Sequence, residues 1–302
     1  MKPYFIPLLL LALTSSMSGR TWTSSDGKTL EADFVSTDGN SVTLKRARDG
    51  KDFTIPLDRL SEEDQVFVRE EAEKPQAPTA ISGEYADLVA GEWKLVEHKD
   101  LPYAFYGAKD LDGAEKYPLV VVLHGKSSNN ENGKQTGLAR TFINPENYAK
   151  HPCLVLSPLC YQPYGGSGSG WSDNPGELTL ELIKDLVKKF EIVDADRIYV
   201  IGSSMGGFGT WHFLKEESRM FAAGIPICGY GFDVGKLRSM PIWAFHGDKD
   251  DIVDVEGSRR CADELKRSKV FKYTEFAGAG HNINGKVLND PKVHEWLFAQ
   301  RR

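Results

Sequence analysis

The sequence predicts an α/β fold with a mainly parallel sheet, preceded by a small module of β-strands. From about residue 84 onward, short β-branched and aromatic runs alternate with helical stretches, which is the pattern of a parallel sheet flanked by helices. The run Leu119–His124 is apolar without alternation, as expected of a strand that is buried on both faces. Residues 20–56 instead contain short alternating runs separated by Asp-Gly pairs, a pattern typical of β-hairpins.

The composition is that of a globular protein with a sizeable core. Of the 302 residues, 40% are hydrophobic and 26% are charged, so the chain forms one large domain or two unequal ones. The net charge of -6 argues against a nucleic-acid partner. The spacings C-x-x-C and H-E-x-x-H do not occur, so we expect no metal. Four cysteines allow three pairings, among which the sequence does not choose: Cys153, Cys160, Cys228 and Cys261.

Residues 1–18 predict a secretory signal peptide. A basic start is followed by an apolar run over 4–13 and by small residues, with a cleavage position after Ser18. A membrane anchor is the alternative, but the apolar run is short for a bilayer and no later segment is more apolar. We therefore expect an exported protein, periplasmic or extracellular, with no membrane span after cleavage.

Residues 19–73 predict a separate β module. Four strands, at 21–25, 29–36, 41–45 and 52–56, are joined by turns that contain Asp-Gly. The run Ser61-Glu-Glu-Asp64 predicts the start of a helix that ends near Glu73, with Val66 and Phe67 on its apolar face. Residues 74–83 begin with Lys-Pro-Gln-Ala-Pro-Thr, which predicts a linker.

This module resembles the first Sla homology domain, a module of SH3-like type. The resemblance rests on Arg20-Thr-Trp-Thr, Asp26-Gly, Val42-Thr-Leu, Ile55-Pro-Leu and Leu60-Ser-Glu-Glu-Asp64. It implies a ligand that is a protein or a component of the cell envelope. A plain spacer is the alternative.

The predicted elements of the second domain, 84–302, follow one another as strand and helix. We expect helices at 175–190, with Asn174 as the cap, and at 208–214, directly after the fifth of these strands. In such a sheet, functional sites lie at the carboxyl ends of the strands. The predicted strands are 93–98, 102–106, 119–124, 153–157, 198–201, 223–227, 242–246 and 272–276.

The pentapeptide Gly202-Ser-Ser-Met-Gly206 lies between a predicted strand and a predicted helix. A serine on so sharp a turn has strained dihedral angles, and glycines are needed where side chains would collide with the strand and helix. This context predicts Ser204 as a nucleophile and the Met205 amide as an oxyanion donor. The pentapeptide alone is weak evidence, because a Gly/Ser-rich turn gives the same pattern.

A base and an acid are expected after later strands, in the order Ser, Asp, His. His281 lies on a Gly-rich loop just past the last predicted strand and is the predicted base. The segment 247–254 offers four carboxylates after the preceding strand, Asp248, Asp250, Asp251 and Asp254. The histidines His98, His151, His212 and His294 fit surface or packing positions better.

These motifs together resemble the α/β-hydrolase esterases, over the whole of residues 84–302. The resemblance is greatest to the group of polyhydroxybutyrate-depolymerase-like, dienelactone-hydrolase-like and prolyl-oligopeptidase-like predicted peptidases. It rests on G-S-S-M-G-G-F-G-T-W at 202–211, P-I-C-G at 226–229 and H-G-D-x-D at 246–250.

The resemblance assigns roles to residues that the sequence pattern leaves open. It implies that Asp250 is the acid, with Asp251 as the main rival. It implies that Lys126, in the loop after Leu119–His124, supplies a second oxyanion amide, while His124 holds that loop. The loop sequence after Lys126 departs from the Gly-Ala-Gly-Glu type usual in the group, which leaves the substrate open.

The expected activity is therefore that of a serine ester hydrolase with the triad Ser204, His281 and Asp250 and no cofactor. The substrate would be a small-molecule or polysaccharide ester. The segment 161–171 is rich in glycine and aromatic residues, so we expect Tyr164 and Trp171 to line the pocket, with Trp171 stacked on a ring or sugar. A flexible surface loop is the alternative for that segment.

Two other functions stay open. A serine peptidase of prolyl-oligopeptidase type is one, although the chain has no room for the large gating domain of those enzymes. The other is a non-enzymatic binding protein of the cell envelope that acts through the N-terminal module. A metal hydrolase is disfavoured because the sequence lacks a ligand cluster.

Overall fold

A computed structural model describes residues 19–73, 78–126, 132–161 and 170–302. The predicted signal peptide lies outside the described residues. The chain divides into two compact units, and the division falls between Ala77 and Pro78.

The first unit is an antiparallel sheet of four strands in the order β1-β2-β3-β4, followed by a helix. Gly27, Gly39 and Gly50 have positive φ in the three turns, which explains why each turn carries glycine. The strands and the helix lie where the sequence predicts them. Their bounds are β1 Arg20–Thr23, β2 Thr29–Thr37, β3 Ser41–Arg46, β4 Asp52–Pro56 and α1 Glu62–Glu73.

Helix α1 begins as predicted, but its buried face differs from the predicted one. The Asp64 N–H donates to Ser61 Oγ at 3.2 Å, which caps the first turn. Phe67 packs edge-on against Trp22, whereas Val66 is 49% exposed and Val68 is buried in its place. The pair that packs against the core is Phe67 and Val68 instead of the predicted Val66 and Phe67. This shift of one position turns the buried face by about 100°, the angle between adjacent residues of a helix.

The second unit is an eight-stranded sheet in the order β12-β11-β10-β9-β7-β8-β6-β5. Strand β6 is antiparallel to both neighbours, while β8, β7, β9, β10, β11 and β12 run parallel. The strands are β5 Lys94–His98, β6 Leu101–Tyr106, β7 Tyr117–Leu123, β8 Leu154–Pro158, β9 Val193–Ser203, β10 Ala223–Ile227, β11 Ile242–Gly247 and β12 Phe271–Phe276. The helices are α2 Pro145–Lys150, α3 Asn174–Lys189, α4 Met205–Glu216, α5 Val255–Leu265, α6 Asn284–Leu288 and α7 Pro291–Phe298.

The sheet separates two hydrophobic cores. On β7, Leu119, Val121 and Leu123 belong to one core, and Val120 and Val122 belong to the other. Both faces of this strand are thus buried, which explains why its sequence is apolar without alternation.

Several boundaries differ from the predictions: β9 begins at Val193 and not at 198, and α4 begins at Met205 and not at 208. Asn174 is the first residue of α3 and not its cap, because Asp173 occupies the extended cap position. The predicted linker ends early: the Thr79 N–H donates to Asp112 Oδ1 at 3.0 Å, and the Gly113 N–H donates to the Thr79 carbonyl at 2.8 Å. Residues 78–83 therefore belong to the second unit.

All four cysteines are buried, and no disulfide joins any two of them in the described part of the chain. Burial raises the pKa of the Cys261 thiol to about 11, so it behaves as a small apolar side chain. In the described part of the chain, no helix is both long and apolar enough to span a bilayer.

Candidate active site

Ser204 lies on the sharp turn between β9 and α4. Its φ of 58° and ψ of -118° are in a region that residues with a side chain rarely adopt. A Cβ on Gly202 would lie 2.2 Å from the Gly206 carbonyl oxygen, and one on Gly206 would lie 2.0 Å from the Leu123 carbonyl oxygen. Only glycine at both positions lets the turn pack this closely, so the turn has the geometry of a nucleophile elbow.

The surroundings of the turn hold Ser204 in its strained conformation. The Ser204 N–H donates to the Ile227 carbonyl at 2.9 Å, and the Ser204 carbonyl accepts from the Phe208 N–H at 3.1 Å. Met205 is the first residue of α4, where backbone N–H groups have no partner within the helix. Its amide is therefore placed beside the nucleophile at the positive end of a helix dipole.

The loop after β7 approaches the same serine. A Cβ on Gly125 would lie 3.3 Å from the Ser203 carbonyl oxygen and 3.6 Å from the Ser204 Cβ. Lys126 follows on this loop, is exposed and lines the same cavity as Ser204. This position is compatible with the predicted donation of its amide to an oxyanion.

His124 fastens that loop to the strand that follows. It accepts from the Cys160 N–H through Nε2 at 2.9 Å, so its hydrogen is on Nδ1, which lies 2.7 Å from the Gly125 carbonyl oxygen. Burial lowers the pKa of His124 to about 4, so the ring is neutral at physiological pH. The contacts agree with the predicted role of holding the loop.

Asp250 and His281 are joined by a hydrogen bond of 2.7 Å between Oδ2 and Nδ1. The other carboxylate oxygen accepts from the Ile252 and Val253 N–H groups, both at 2.9 Å. Burial alone would raise the pKa of Asp250, but the hydrogen bonds from Val253, His281 and Ile252 outweigh it and lower the pKa below its ordinary value. Asp250 is thus a buried carboxylate that fixes the His281 tautomer.

The other three carboxylates of segment 247–254 have different roles. Asp251 is exposed. Asp248 accepts from the Gly278 N–H at 2.6 Å, and Asp254 caps α5 by accepting from the Glu256 N–H at 2.9 Å. The structure therefore places Asp250 against His281 and uses Asp248 and Asp254 to hold loops.

A further histidine, His246, contacts the same carboxylate. Its Nε2 lies 3.1 Å from Asp250 Oδ2. The sequence predicts no role for His246 apart from its place in the motif H-G-D-x-D at 246–250. That place, at the carboxyl end of β11, is the one sequence feature that could have indicated its contact with Asp250.

Cys228, His246 and Asp250 are the group of potential metal ligands that the described residues bring together, within 4.8 Å of one another. Both oxygens of Asp250 already accept hydrogen bonds, and the Cys228 Sγ lies 3.3 Å from the His281 carbonyl oxygen, which it can reach as a donor. Burial raises the pKa of this thiol to about 12, which disfavours the thiolate that a metal requires. The cluster is better suited to hydrogen bonding than to metal coordination.

Ser204 and His281 line one cavity of about 570 Å³. Between these two described side chains the structure forms no hydrogen bond, and such catalytic contacts often close only when substrate binds. The rest of the lining mixes polar side chains with aliphatic ones: Gln135, Thr141, Asn282, Asn284 and Asn289 beside Leu138, Ile252 and Leu288.

The prediction that Trp171 stacks on a substrate ring is wrong. Its ring is 1% exposed, donates from Nε1 to the His124 carbonyl at 3.1 Å, and packs against the backbone of Gly209. The ring supports the loop that carries Lys126 and is not free to bind a ligand. The predicted pocket residue Tyr164 lies outside the described residues.

A second cavity, of about 190 Å³, lies on the first turns of α4 and is lined partly by Met205. Its walls are largely aromatic: Phe208 and Tyr230 meet edge to face at 4.8 Å, and Phe232 is 65% exposed. Because Met205 directly follows Ser204, this apolar cavity begins one residue from the nucleophile.

Comparison with known proteins gives distant relatives of esterase and peptidase type. A bifunctional acetylxylan esterase/xylanase from Neocallimastix patriciarum is 26% identical over 148 residues, which are 47% of this chain and 21% of that protein. Acylamino-acid-releasing enzyme 1 from Oryza sativa subsp. japonica is 27% identical over 169 residues, 50% of this chain and 20% of that one. The matched region thus spans about a fifth of the length of either relative. No protein-family model matches the sequence.

Among solved structures, a thermostable esterase is similar with a TM-score of 0.62 and 24% identity, over 93% of this chain and 89% of its own. At that identity the likeness concerns the fold. The fold and the elbow are those of an α/β-hydrolase, and the distant relatives that the sequence matches are of esterase and peptidase type.

Proposed function

We propose that this protein is a serine hydrolase that cleaves carboxylic esters through an acyl-enzyme. The observation that carries the proposal is the hydrogen bond between Asp250 and His281 at the cavity that Ser204 lines. It keeps a hydrogen on His281 Nδ1 and leaves Nε2 free to accept the serine proton.

In the proposed reaction, His281 takes the Ser204 proton while Oγ attacks the ester carbonyl carbon. The Met205 and Lys126 amides stabilise the oxyanion, where loss of one donor typically costs roughly 2.7–4 kcal/mol. The imidazolium then protonates the leaving alcohol. Water, deprotonated by the same imidazole, attacks the acyl-enzyme and releases the acid, and no cofactor takes part.

The four side-chain amides in the cavity lining favour an ester with a hydroxyl-rich part, such as an acylated carbohydrate. Side-chain amides both donate and accept hydrogen bonds, as sugar hydroxyls do. Among the described residues, Asn284 Oδ1 is a buried oxygen without a hydrogen-bond partner, and Asn284 lines the cavity. A rotation of this side chain toward the cavity would let a substrate hydroxyl supply the missing donor.

A peptidase of prolyl-oligopeptidase type is the second candidate, supported by the similarity to the acylamino-acid-releasing enzyme. The described lining of the cavity at Ser204 contains no Asp or Glu side chain, so it offers no carboxylate to a free, cationic peptide N-terminus, whereas an acylated N-terminus is neutral and needs none. We place the ester first because the amides of the lining suit a hydroxyl-rich substrate.

Export and the role of the first unit belong to the same proposal. Residues 1–18 have the pattern of a signal peptide, which suits an enzyme that acts on extracellular polymer esters. The resemblance of the first unit to an SH3-like module supports binding to a protein or to the envelope.

The decisive test is hydrolysis of p-nitrophenyl acetate and butyrate by the purified chain and by Ser204→Ala. We expect turnover that disappears in the variant, while its thermal unfolding stays cooperative. A chain that neither hydrolyses these esters nor reacts with a fluorophosphonate at Ser204 would favour the non-enzymatic binding protein. Faster cleavage of acyl-peptides than of esters would favour the peptidase.

The carbohydrate part of the proposal is tested by Asn284→Ala. We expect KM for an acetylated sugar to rise about fivefold, as for one neutral hydrogen bond, with KM for p-nitrophenyl acetate unchanged. Lys286→Ala, an exposed change on the same helix and outside the cavity lining, is the control. Equal effects of Asn284→Ala on both substrates would contradict the assignment.

A further inference from the structure

His246 is a buried side chain at the carboxyl end of β11. Its exposure is 0%, and it does not line the cavity that Ser204 and His281 share. Nε2 lies 3.0 Å from the Val253 carbonyl oxygen and 3.1 Å from Asp250 Oδ2, and Nδ1 lies 2.7 Å from Ser258 Oγ. Every polar contact of the ring is therefore inside the protein.

The contacts determine which ring nitrogen carries a hydrogen. A carbonyl oxygen and an ionised carboxylate can only accept, so Nε2 carries the hydrogen, which is directed to the Val253 carbonyl while Asp250 Oδ2 lies beside it. The Ser258 hydroxyl reaches both the Gly229 carbonyl, at 3.1 Å, and Nδ1, and beside a neutral ring it can donate its one hydrogen to Nδ1 while the carbonyl keeps the hydrogen bond from Trp211 Nε1 at 3.2 Å. His246 thus presents an N–H to the carboxylate even when the ring is neutral.

Asp250 consequently has N–H groups close to both of its oxygens. The backbone N–H groups of Ile252 and Val253 donate to Oδ1. The rings of His281 and His246 both approach Oδ2, at 2.7 and 3.1 Å. The predicted base and a second imidazole therefore share one oxygen of the acid.

We infer that His246 is a positioning residue for the proposed hydrolysis, which holds Asp250 Oδ2 by an Nε2–H hydrogen bond and moderates the hold of that oxygen on His281. This inference depends on the proposed function. An oxygen that shares its charge between two N–H donors is a weaker acceptor for each of them. Removal of the second donor therefore strengthens the hold of Oδ2 on His281.

Other charged groups around His246 are few and are already paired. Glu275, on β12, is paired with His246 in the register of the two strands, and its carboxylate accepts a hydrogen bond from Arg259 at 2.6 Å. The Cys228 thiol, on β10, is neutral because burial raises its pKa to about 12. The Tyr273 hydroxyl, on β12, also donates to Glu275, at 2.8 Å, and among the described residues Asp250 and His281 complete the titratable groups around His246.

The test compares the pH dependence of kcat/KM for p-nitrophenyl acetate, from about pH 5 to 9, in three variants and the wild-type chain. His246→Leu removes the donor, whereas His246→Gln keeps an N–H near the Nε2 position. His294→Leu is the matched control, because His294 is also buried and bonds a backbone carbonyl, that of Leu288, far from Asp250 in the chain.

We expect the acidic limb of the profile to move to higher pH by roughly one pH unit in His246→Leu, with kcat reduced about tenfold and KM unchanged. His246→Gln should restore most of the wild-type profile, and His294→Leu should not move it. A His246→Leu profile that coincides with the wild-type profile would overturn the inference.

Ring-nitrogen NMR of the wild-type chain provides a readout that needs neither turnover nor a stable variant. We expect Nε2 of His246 to carry a hydrogen throughout the pH range of activity. A bare Nε2 would overturn the inference. Absence of ester turnover in the wild-type chain would count against the proposed function alone, since the NMR result decides the role of His246 independently.

Discussion

At the scale of single residues, one hydrogen bond distinguishes Asp250 from its neighbour. Asp250 contacts His281 at 2.7 Å, whereas Asp251 is exposed. The two residues are adjacent and chemically identical. Their difference lies wholly in the direction in which the loop turns each side chain.

This difference predicts unequal effects of the same substitution. Asp250→Asn should lower kcat for p-nitrophenyl acetate by about 10⁴, because an amide permits the wrong His281 tautomer. Asp251→Asn, the matched control, should change kcat less than about twofold. A larger loss in Asp251→Asn than in Asp250→Asn would show that the acid is assigned wrongly.

At the scale of elements, the strand-turn-helix unit of β9 and α4 depends on close backbone packing. A Cβ on Gly206 would meet the Leu123 carbonyl oxygen at 2.0 Å, a contact with rigid backbone of β7. The elbow therefore cannot accept a methyl group without moving the strand, and any shift would also displace Ser204.

Gly206→Ala should accordingly lower the free energy of unfolding by about 3 kcal/mol and abolish ester turnover. Gly235→Ala is the control, since its nearest neighbour is a side-chain oxygen of Glu264 at 3.9 Å. Urea unfolding monitored by tryptophan fluorescence measures both changes. Equal stability of the two variants would contradict the close packing described for the elbow.

At the scale of the whole molecule, a buried neutral histidine makes stability depend on pH. Burial lowers the pKa of His124 from 6.5 to about 4, while an unfolded chain exposes this ring to water. Between these two values the unfolded state binds a proton that the folded state does not. Stability therefore rises with pH in this window and is lost as the pH falls through it.

The expected loss between pH 6.5 and 4 is about 3 kcal/mol for this residue, since each pKa unit corresponds to 1.36 kcal/mol. The lowered pKa of Asp250 adds a further loss at more acidic pH, as its carboxylate becomes protonated. Urea unfolding at a series of pH values measures the slope. In His124→Gln the free energy of unfolding should change less steeply with pH. An unchanged slope would show that groups other than His124 cause the pH dependence.

The sequence indicated the strand order along the chain, the two parts of the chain and the three residues that we propose as the triad. These features can be predicted because local constraints select the residues of one short segment. Burial on both faces of β7 selects apolar residues, and positive φ at Gly27 and crowding at Gly206 select glycine. The sequence pattern alone left four candidates for the acid. Only the resemblance to known enzymes reduced them to Asp250, with Asp251 as the main rival.

Tertiary structure determined which side chains from distant segments come into contact. It buried Trp171 against Gly209 and made the ring a support for the loop of Lys126, where the sequence predicted a ligand contact. It also brought His246 and His281, which lie 35 positions apart in the sequence, to the same oxygen of Asp250. Local pattern fixes which residues form an element and which face they share, but the meeting of side chains from different strands depends on how the sheet twists and packs.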